Sequence, residues 1–352
     1  MDKHIKAAEG IGENGEFPSE LRYDIASKSW VVIASGRSQR PETFKEKKRK
    51  INNSDKENCP FCKKDTYQYT TEVMAEGKIH DPEEDLPENW TVASIPNKFP
   101  AFIPGDELDE KKENSLYKRM NAVGYHEVII TRDHEKSLGQ MSKSEVREVL
   151  EIYKRRYLDL MERRHVNHIS IFHNHGKEAG ASIAHPHSQL ATTPLVDVDV
   201  NSALNTANNY VAEENSCLYC DMQKWEMKKG DRIVYENEEF LVLCPFASRV
   251  AFQTIISPKK HLSYFEEIDD DVLTHLADAF QKALGKIYEG VGNPPYNFYL
   301  HTGPCDGQPH DYYHWHWTIL PKTSVFAGFE LGAGMEISTI KPEVAAKHLK
   351  NT

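Results

Sequence analysis

Apolar residues along this chain alternate between two periods, one suited to strands and one to helices. The β-branched and aromatic runs VASI (92–95), EVIIT (127–131) and ISIF (169–172) have the length and make-up of strands, and FLVLC (240–244), QTIIS (253–257) and FYLH (298–301) match them further on. Between them the period lengthens. Ser142-Lys143-Ser144-Glu145 has the form of a capping box at a helix start. Val146, Val149, Leu150, Tyr153, Tyr157 and Leu160 then recur at helical spacing opposite Lys, Arg and Glu, as Val272, Leu276, Phe280, Leu284 and Ile287 do later. The pattern predicts an α+β protein of two halves, each mostly strands with one main helix. LRYDIASKSWVVIAS (21–35) adds a hairpin, the charged stretches 41–57 and 105–116 read as loops, and 196–216 reads as the connection between the halves.

The elements repeat in order. NCPFC, WTVASIPNKFPAF, HEVIITRDHEKSL, a helical stretch, NHISIFHNHG and HPHSQL are echoed by SCLYC, FLVLCPFASRVAF, FQTIISPKKHLSYF, a second helical stretch, YNFYLHTGP and HWHWTI. His134 precedes His185 by 51 positions and His261 precedes His314 by 53. Two ladders so alike imply an internal duplication, divided here as residues 1–195 and 196–352.

The formal net charge of −11 argues against nucleic acid or an anionic membrane as partner, since both favour a basic footprint. The opening residues contain no apolar signal segment, and no run has the length of a membrane span, so a cytoplasmic protein is expected. In a reducing compartment the pairs Cys59/Cys62 and Cys217/Cys220 point to metal or redox chemistry before disulfides. Each pair is followed by a His at a strand end and then by a His-x-His, which suggests two Cys₂His₂ sets: Cys59, Cys62, His134, His185 and Cys217, Cys220, His261, His314. With four protein ligands apiece, both are expected to hold structural zinc with no open position for a reacting water. Cys244 and Cys305 have no such partners and read as ordinary thiols.

The segment from Gly176 to Gln189 carries the candidate chemistry. Small residues around Gly180 would let backbone N–H groups approach an anion, and Ser182 adds a hydroxyl. In an extended His-x-His alternate side chains share a face, so His185 can be anchored by metal while His187 meets a ligand. Imidazole is largely neutral at physiological pH and attacks phosphorus to give a phosphoramidate that passes the group on.

These motifs resemble the galactose-1-phosphate uridylyltransferase branch of the histidine-triad superfamily. The resemblance runs from Arg22 to about His348 and rests on SGRSQRP, CPFC, PNKF, RDHEKSL, HPHSQ and AGFEL. It implies duplicated histidine-triad-like halves, each an antiparallel sheet with a main helix. It implies that His187 is the covalent nucleophile, that Gln189 stabilises the nucleotidylated ring, and that Cys59, Cys62, His134 and His185 bind zinc. Arg37 and Arg40 fall at nucleotide-contacting arginines, Asn97 in the nucleotide pocket, and Asn174 and Ser182 in the phosphate loop with Gly180. Phe329 and Glu330 fall in a segment that serves the sugar site, often from the neighbouring subunit of a homodimer.

Two departures stand out. Ser188 replaces the Gly of the family's His-Pro-His-Gly-Gln, as in the related ADP-glucose phosphorylase group, although that group generally lacks the Pro present here as Pro186. Cys217 and Cys220 stand where some members use Glu and His to bind iron. The leading expectation is ping-pong transfer of UMP from UDP-glucose to galactose 1-phosphate, with nucleotide sugar and sugar 1-phosphate as partners. The alternatives are an ADP-sugar or dinucleoside-polyphosphate phosphorylase using the same His, and a non-catalytic zinc protein that binds nucleotides.

Overall fold

In the computed structural model, residues 19–35 and 56–352 are described. The N-terminal strands are β1 (Ser19–Asp24), β2 (Ser29–Ala34), β3 (Glu72–Ala75), β4 (Lys78–His80), β5 (Trp90–Pro96), β6 (Lys111–Lys112), β7 (Lys118–Arg119), β8 (His126–Thr131), β9 (His168–His175) and β10 (His187–Thr193). The later ones are β11 (Ile233–Glu236), β12 (Phe240–Leu243), β13 (Thr254–Pro258), β14 (Tyr296–His301), β15 (His316–Pro321) and β16 (Ile337–Ser338). The helices are α1 (Lys143–Met161), α2 (Val198–Glu214), α3 (Leu218–Lys229), α4 (Asp270–Val291), α5 (Gly328–Ala333) and α6 (Pro342–Lys350).

The runs read as strands from their β-branched residues form β5, β8, β9, β12, β13 and β14, and the two helical stripes form α1 and α4. Ser142 caps α1 in a full capping box with Glu145. The predicted hairpin is β1–β2, with β16 added parallel to β2. The loop expected at 105–116 is mostly irregular and includes the two-residue β6, paired with β7.

The halves do not keep separate sheets. Eleven antiparallel strands form one sheet in the order β4-β3-β5-β8-β10-β9-β14-β15-β13-β12-β11. Read outward from the β9·β14 seam, the orders β9-β10-β8-β5-β3 and β14-β15-β13-β12-β11 mirror each other, which is the duplication expressed in topology. Helices α1 and α4 pack together on one face, and a single core draws Tyr153 and Tyr157 from the first half and Phe280, Phe298 and Trp317 from the second. Alternation along β9 and β14 leaves Phe172, Asn174, Asn297, Tyr299 and His301 on the opposite face, where the candidate site lies.

The connection expected at 196–216 is the helix α2. The Asp197 carboxylate caps it by accepting from the N–H groups of Asp199 and Val200. Val200, Leu204 and Ala207 bury one side against Tyr313. Its stripe is narrow and broken by Asn and Ser, residues of low helix propensity, so packing decides what periodicity did not announce.

Trp317 lies fully buried among Tyr153, Phe265, Phe280 and Phe298, with ring centroids 5.3–5.8 Å away. Trp317→Ala is expected to destabilise the protein by about 3–5 kcal/mol in urea unfolding. Leu21→Ala, at a side chain more than half exposed, should change stability by no more than about 0.5 kcal/mol.

Candidate active site and metal centres

Both Cys-x-x-Cys pairs sit at the start of a helical turn. Cys59 is the N-cap of the 3₁₀ turn Pro60–Cys62, and Cys217 is the N-cap of α3, whose first turn carries Cys220. Such a turn brings two thiols to one side over a short length of chain. Around the first pair, Cys62 Sγ lies 3.2 Å from His134 Nδ1 and 3.6 Å from His185 Nδ1, and the two Nδ1 atoms are 3.2 Å apart. Around the second, Cys220 Sγ lies 3.5 Å from His261 Nδ1 and 3.4 Å from His314 Nδ1. The four ligand atoms of each set lie within 4.8 Å of one another, so the structure assembles two groups that could hold a metal ion.

The backbone selects the tautomers. His185 donates its Nε2–H to the Thr131 carbonyl (2.6 Å), His261 to Asp311 (2.6 Å) and His314 to Pro258 (2.9 Å). Each ring therefore turns an unprotonated Nδ1 toward the thiols, the second-sphere arrangement that metal-binding imidazoles use. Burial, with His134 close by, pulls His185 down to about 4, which keeps it neutral.

His187 begins β10 and is tethered by its other nitrogen. Its Nδ1–H donates to the His185 carbonyl (2.8 Å), which leaves Nε2 as the nitrogen with the lone pair. Burial pulls its pKa below the usual value, against that hydrogen bond, so the neutral ring prevails at neutral pH. The Phe61 ring, from inside the Cys-x-x-Cys turn, packs 5.1 Å from it. Ser188 faces the other way: its Oγ bonds Tyr153 Oη on α1 and His173 Nδ1 (2.9 Å) behind the sheet.

Gln189 shares the His187 face. Its Oε1 accepts from His126 Nε2 (3.0 Å), whose Nδ1 accepts the Ala101 N–H (3.1 Å). Asn97 lies in the same turn, its N–H donating to the His126 carbonyl and its Oδ1 accepting the Phe99 N–H. The register that pairs Ser188 with His173 sets Asn174 beside His187. The loop after β9 turns at Gly176 and Gly180, both at positive φ (83° and 93°), where an L side chain is strained. Here the structure differs from the expected anion nest: the N–H groups of Ala179, Gly180 and Ala181 close the loop on Gly176 and Lys177. Ser182 follows this closed turn.

Phe329 and Glu330 lie on α5, which buries no residue, and Glu330 accepts the Ala327 N–H. Among the described residues neither bonds His187 or its neighbours. Arg37 and Arg40 fall outside the described residues. Sequence reasoning missed Phe61 and His126. An aromatic at the third position of both Cys-x-x-Cys turns, Phe61 and Tyr219, was a visible signal for the first, while His126 reaches Gln189 only through strand pairing.

The second half repeats the tether of the second imidazole but changes its neighbours. His316 Nδ1–H donates to the His314 carbonyl (3.2 Å) and the Tyr219 ring lies 5.5 Å away. Where the first half has Asn174, the second has His301, stacked on His316 at 4.7 Å.

The N-terminal domain model of galactose-1-phosphate uridyl transferase matches residues 13–196, and the C-terminal domain model matches 203–351. An ADP-glucose phosphorylase of Arabidopsis thaliana is 31% identical, covering 97% of this chain and 95% of its own. A galactose-1-phosphate uridylyltransferase of Thermotoga maritima is 26% identical, covering 95% and 98%. A crystal structure of an Arabidopsis thaliana ADP-glucose phosphorylase with bound ADP-glucose superposes with a TM-score of 0.76 at 29% identity, over 95% of this chain and 99% of that one. With both domain models matched in order and the relatives aligned nearly end to end, the chain belongs to the galactose-1-phosphate uridyl transferase family.

Proposed function

We propose that this protein is a nucleotidylyl transferase that carries a nucleoside monophosphate on His187. The observation that carries this is the tether of His187: a neutral ring with Nδ1–H held by a backbone carbonyl and Nε2 free, beside Asn174 and Gln189. In the first step Nε2 attacks the α-phosphorus of UDP-glucose. The bond from that phosphorus to the bridging oxygen breaks, and glucose 1-phosphate leaves with the electron pair. A phosphate is a stable leaving group, so no strong acid is needed. The ring then bears positive charge, and the Nδ1–H bond to the His185 carbonyl strengthens as it does so. In the second step a phosphate oxygen of galactose 1-phosphate attacks the same phosphorus, the N–P bond breaks, and UDP-galactose leaves with His187 neutral again. Gln189 and Ser182 would donate to the phosphoryl oxygens, Arg37, Arg40, Asn97 and Asn174 would hold the nucleotide, and Gly180 would shape the loop beside it.

A second reading keeps the intermediate and changes donor and acceptor to ADP-glucose and inorganic phosphate. The relative at 31% identity and the bound ADP-glucose of its structural counterpart favour it. Ser188 does not favour it, because its hydroxyl is engaged behind the sheet, away from the His187 face.

Zinc at both Cys₂His₂ sets belongs to this reading. Two thiolates and two neutral imidazoles suit it, and the S···N and N···N separations of 3.2–3.6 Å are close to the roughly 3.3–3.6 Å of such edges in a tetrahedron built on ordinary zinc bond lengths. When bound, zinc supplies a cross-link that fixes the backbone of His185, the acceptor for His187. We also read the chain as two duplicated halves, 1–195 and 196–352, in a cytoplasmic homodimer. No helix among the described residues is long and apolar enough to cross a membrane. The unburied α5, with Phe329 and Leu331 exposed, fits a contact with a second copy.

Brief mixing with UDP-glucose or ADP-glucose, without acceptor, is expected to add UMP or AMP to the intact protein by mass spectrometry. Loss of a UMP adduct on adding galactose 1-phosphate supports the transferase, and loss of an AMP adduct with inorganic phosphate supports the phosphorylase. No adduct from any nucleotide donor, at full zinc occupancy, leaves the non-catalytic reading. His187→Gly should keep zinc and fold while losing at least about a thousandfold in transfer rate; a variant that turns over like wild type rules out this nucleophile.

Cys59→Ser should lower zinc from two to about one per chain and reduce the unfolding temperature together, because metal binding at such a site is also folding free energy. Unchanged zinc by elemental analysis would exclude this ligand set.

A further inference from the structure

The C-terminal half enters the candidate site through the residues leading into β14. Asn293, Pro295 and Asn297 alternate there, and each engages the end of β9 or the loop beyond it. His175 Nε2–H donates to Asn293 Oδ1 (3.1 Å). Pro295 packs so tightly on Gly176 that a Cβ at residue 176 would come within 2.9 Å of it. Asn297 Nδ2 donates twice, to Asn174 Oδ1 (2.7 Å) and to the Ala179 carbonyl (2.8 Å).

These bonds determine which way two amides face. A backbone carbonyl only accepts, so Ala179 requires the NH₂ end of Asn297 to face the loop. The Asn174 atom opposite that NH₂ group must then be its oxygen. Asn174 Nδ2 is thereby turned away from Asn297, 4.0 Å from where a Cβ of Gly180 would lie, and its residue stands beside His187 on the same face of the sheet. Without Asn297 the two ends of the Asn174 amide are nearly equivalent in shape, and its oxygen is free to take the outward place.

We propose that Asn297 is a positioning residue for nucleotidyl transfer: by holding Asn174 through its oxygen, it keeps the Asn174 NH₂ directed at the phosphoryl group that passes to His187. This rests on the reading of His187 as the nucleotide carrier. An amide NH₂ stabilises the negative charge that builds on phosphoryl oxygens during attack, whereas an amide oxygen in that place repels it. The two residues are 123 positions apart and come from different halves, so the N-terminal half by itself does not complete the site.

The test is a double-mutant cycle on the rate of nucleotidyl-His187 formation, using whichever of UDP-glucose or ADP-glucose labels the wild type. Asn297→Ala is expected to slow adduct formation by about 10–100-fold, as loss of one oriented donor does. Zinc content and unfolding temperature should be retained. Asn174→Ala should lose a similar factor, and the double variant should be within about twofold of Asn174→Ala alone, because the first residue acts through the second. Asn297→Asp, which keeps the shape and cannot donate, should reproduce the loss even where the alanine variant folds poorly. Multiplicative losses in the double variant, or a wild-type rate in Asn297→Asp, overturn the proposal. If the wild-type protein takes up no nucleotide from any donor, the reading of His187 fails first and takes this inference with it.

Discussion

The pairing of β9 with β14 is the constraint on which the rest of the molecule depends. Tyr296, Asn297, Phe298 and Tyr299 pair with His175, Asn174, His173 and Phe172, and this ladder joins two half-sheets that would otherwise each present a bare edge. Once joined, the sheet offers one continuous face to α1 and α4, and the aromatic side chains of both halves bury one another. Phe298 lies flat against His173 at 4.8 Å, and Phe280 meets Phe298 edge-on at 5.0 Å. Burial supplies the driving force, and the ladder sets the register. A slip of β14 by one residue against β9 would turn Asn297 into the core and Phe298 out of it.

That register also organises the open face. His187, Gln189, Asn174 and Asn297 come from three neighbouring strands, and their polar ends meet because alternate residues of paired strands share a side. Within this frame the backbone assigns protons. The imidazoles of His185, His261 and His314 give their Nε2–H to carbonyls and turn Nδ1 to the thiols. His187, two residues along from His185, gives its Nδ1–H and keeps the lone pair on Nε2. Opposite tautomers in one short motif thus turn one ring's bare nitrogen to the thiols and the other's away from them, and burial keeps both neutral.

The duplicated halves have diverged on this same face. Both keep a Cys-x-x-Cys with an aromatic between the thiols and a second imidazole tethered to the carbonyl of the first. The first half follows β9 with a small-residue loop and an amide at Asn174. The second puts His301 in the equivalent place, where burial beside His316 holds it well below its usual pKa. His316 itself is drawn down to about 4 by the same desolvation.

Much of this was legible in the sequence because it is local or repeated. Strand and helix periods, the capping box at Ser142 and the two Cys-x-x-Cys to His-x-His ladders depend on residues near one another in the chain, or on a pattern written twice. The fold class, the main helices and the grouping of four Cys and His side chains at each candidate metal centre follow from them. What the sequence did not carry is everything set by pairing between distant segments. The fusion of two sheets into one is a property of the β9·β14 ladder, and α2 is stabilised by burial against Tyr313 more than by its own weak stripe. Ser188 turned toward Tyr153 and His173, Gln189 held by His126, and Asn297 placed against Asn174 are likewise results of register. Local sequence determines which face of its own element a residue occupies; only the tertiary structure decides what stands across from it, because that depends on which strands find each other when the core closes.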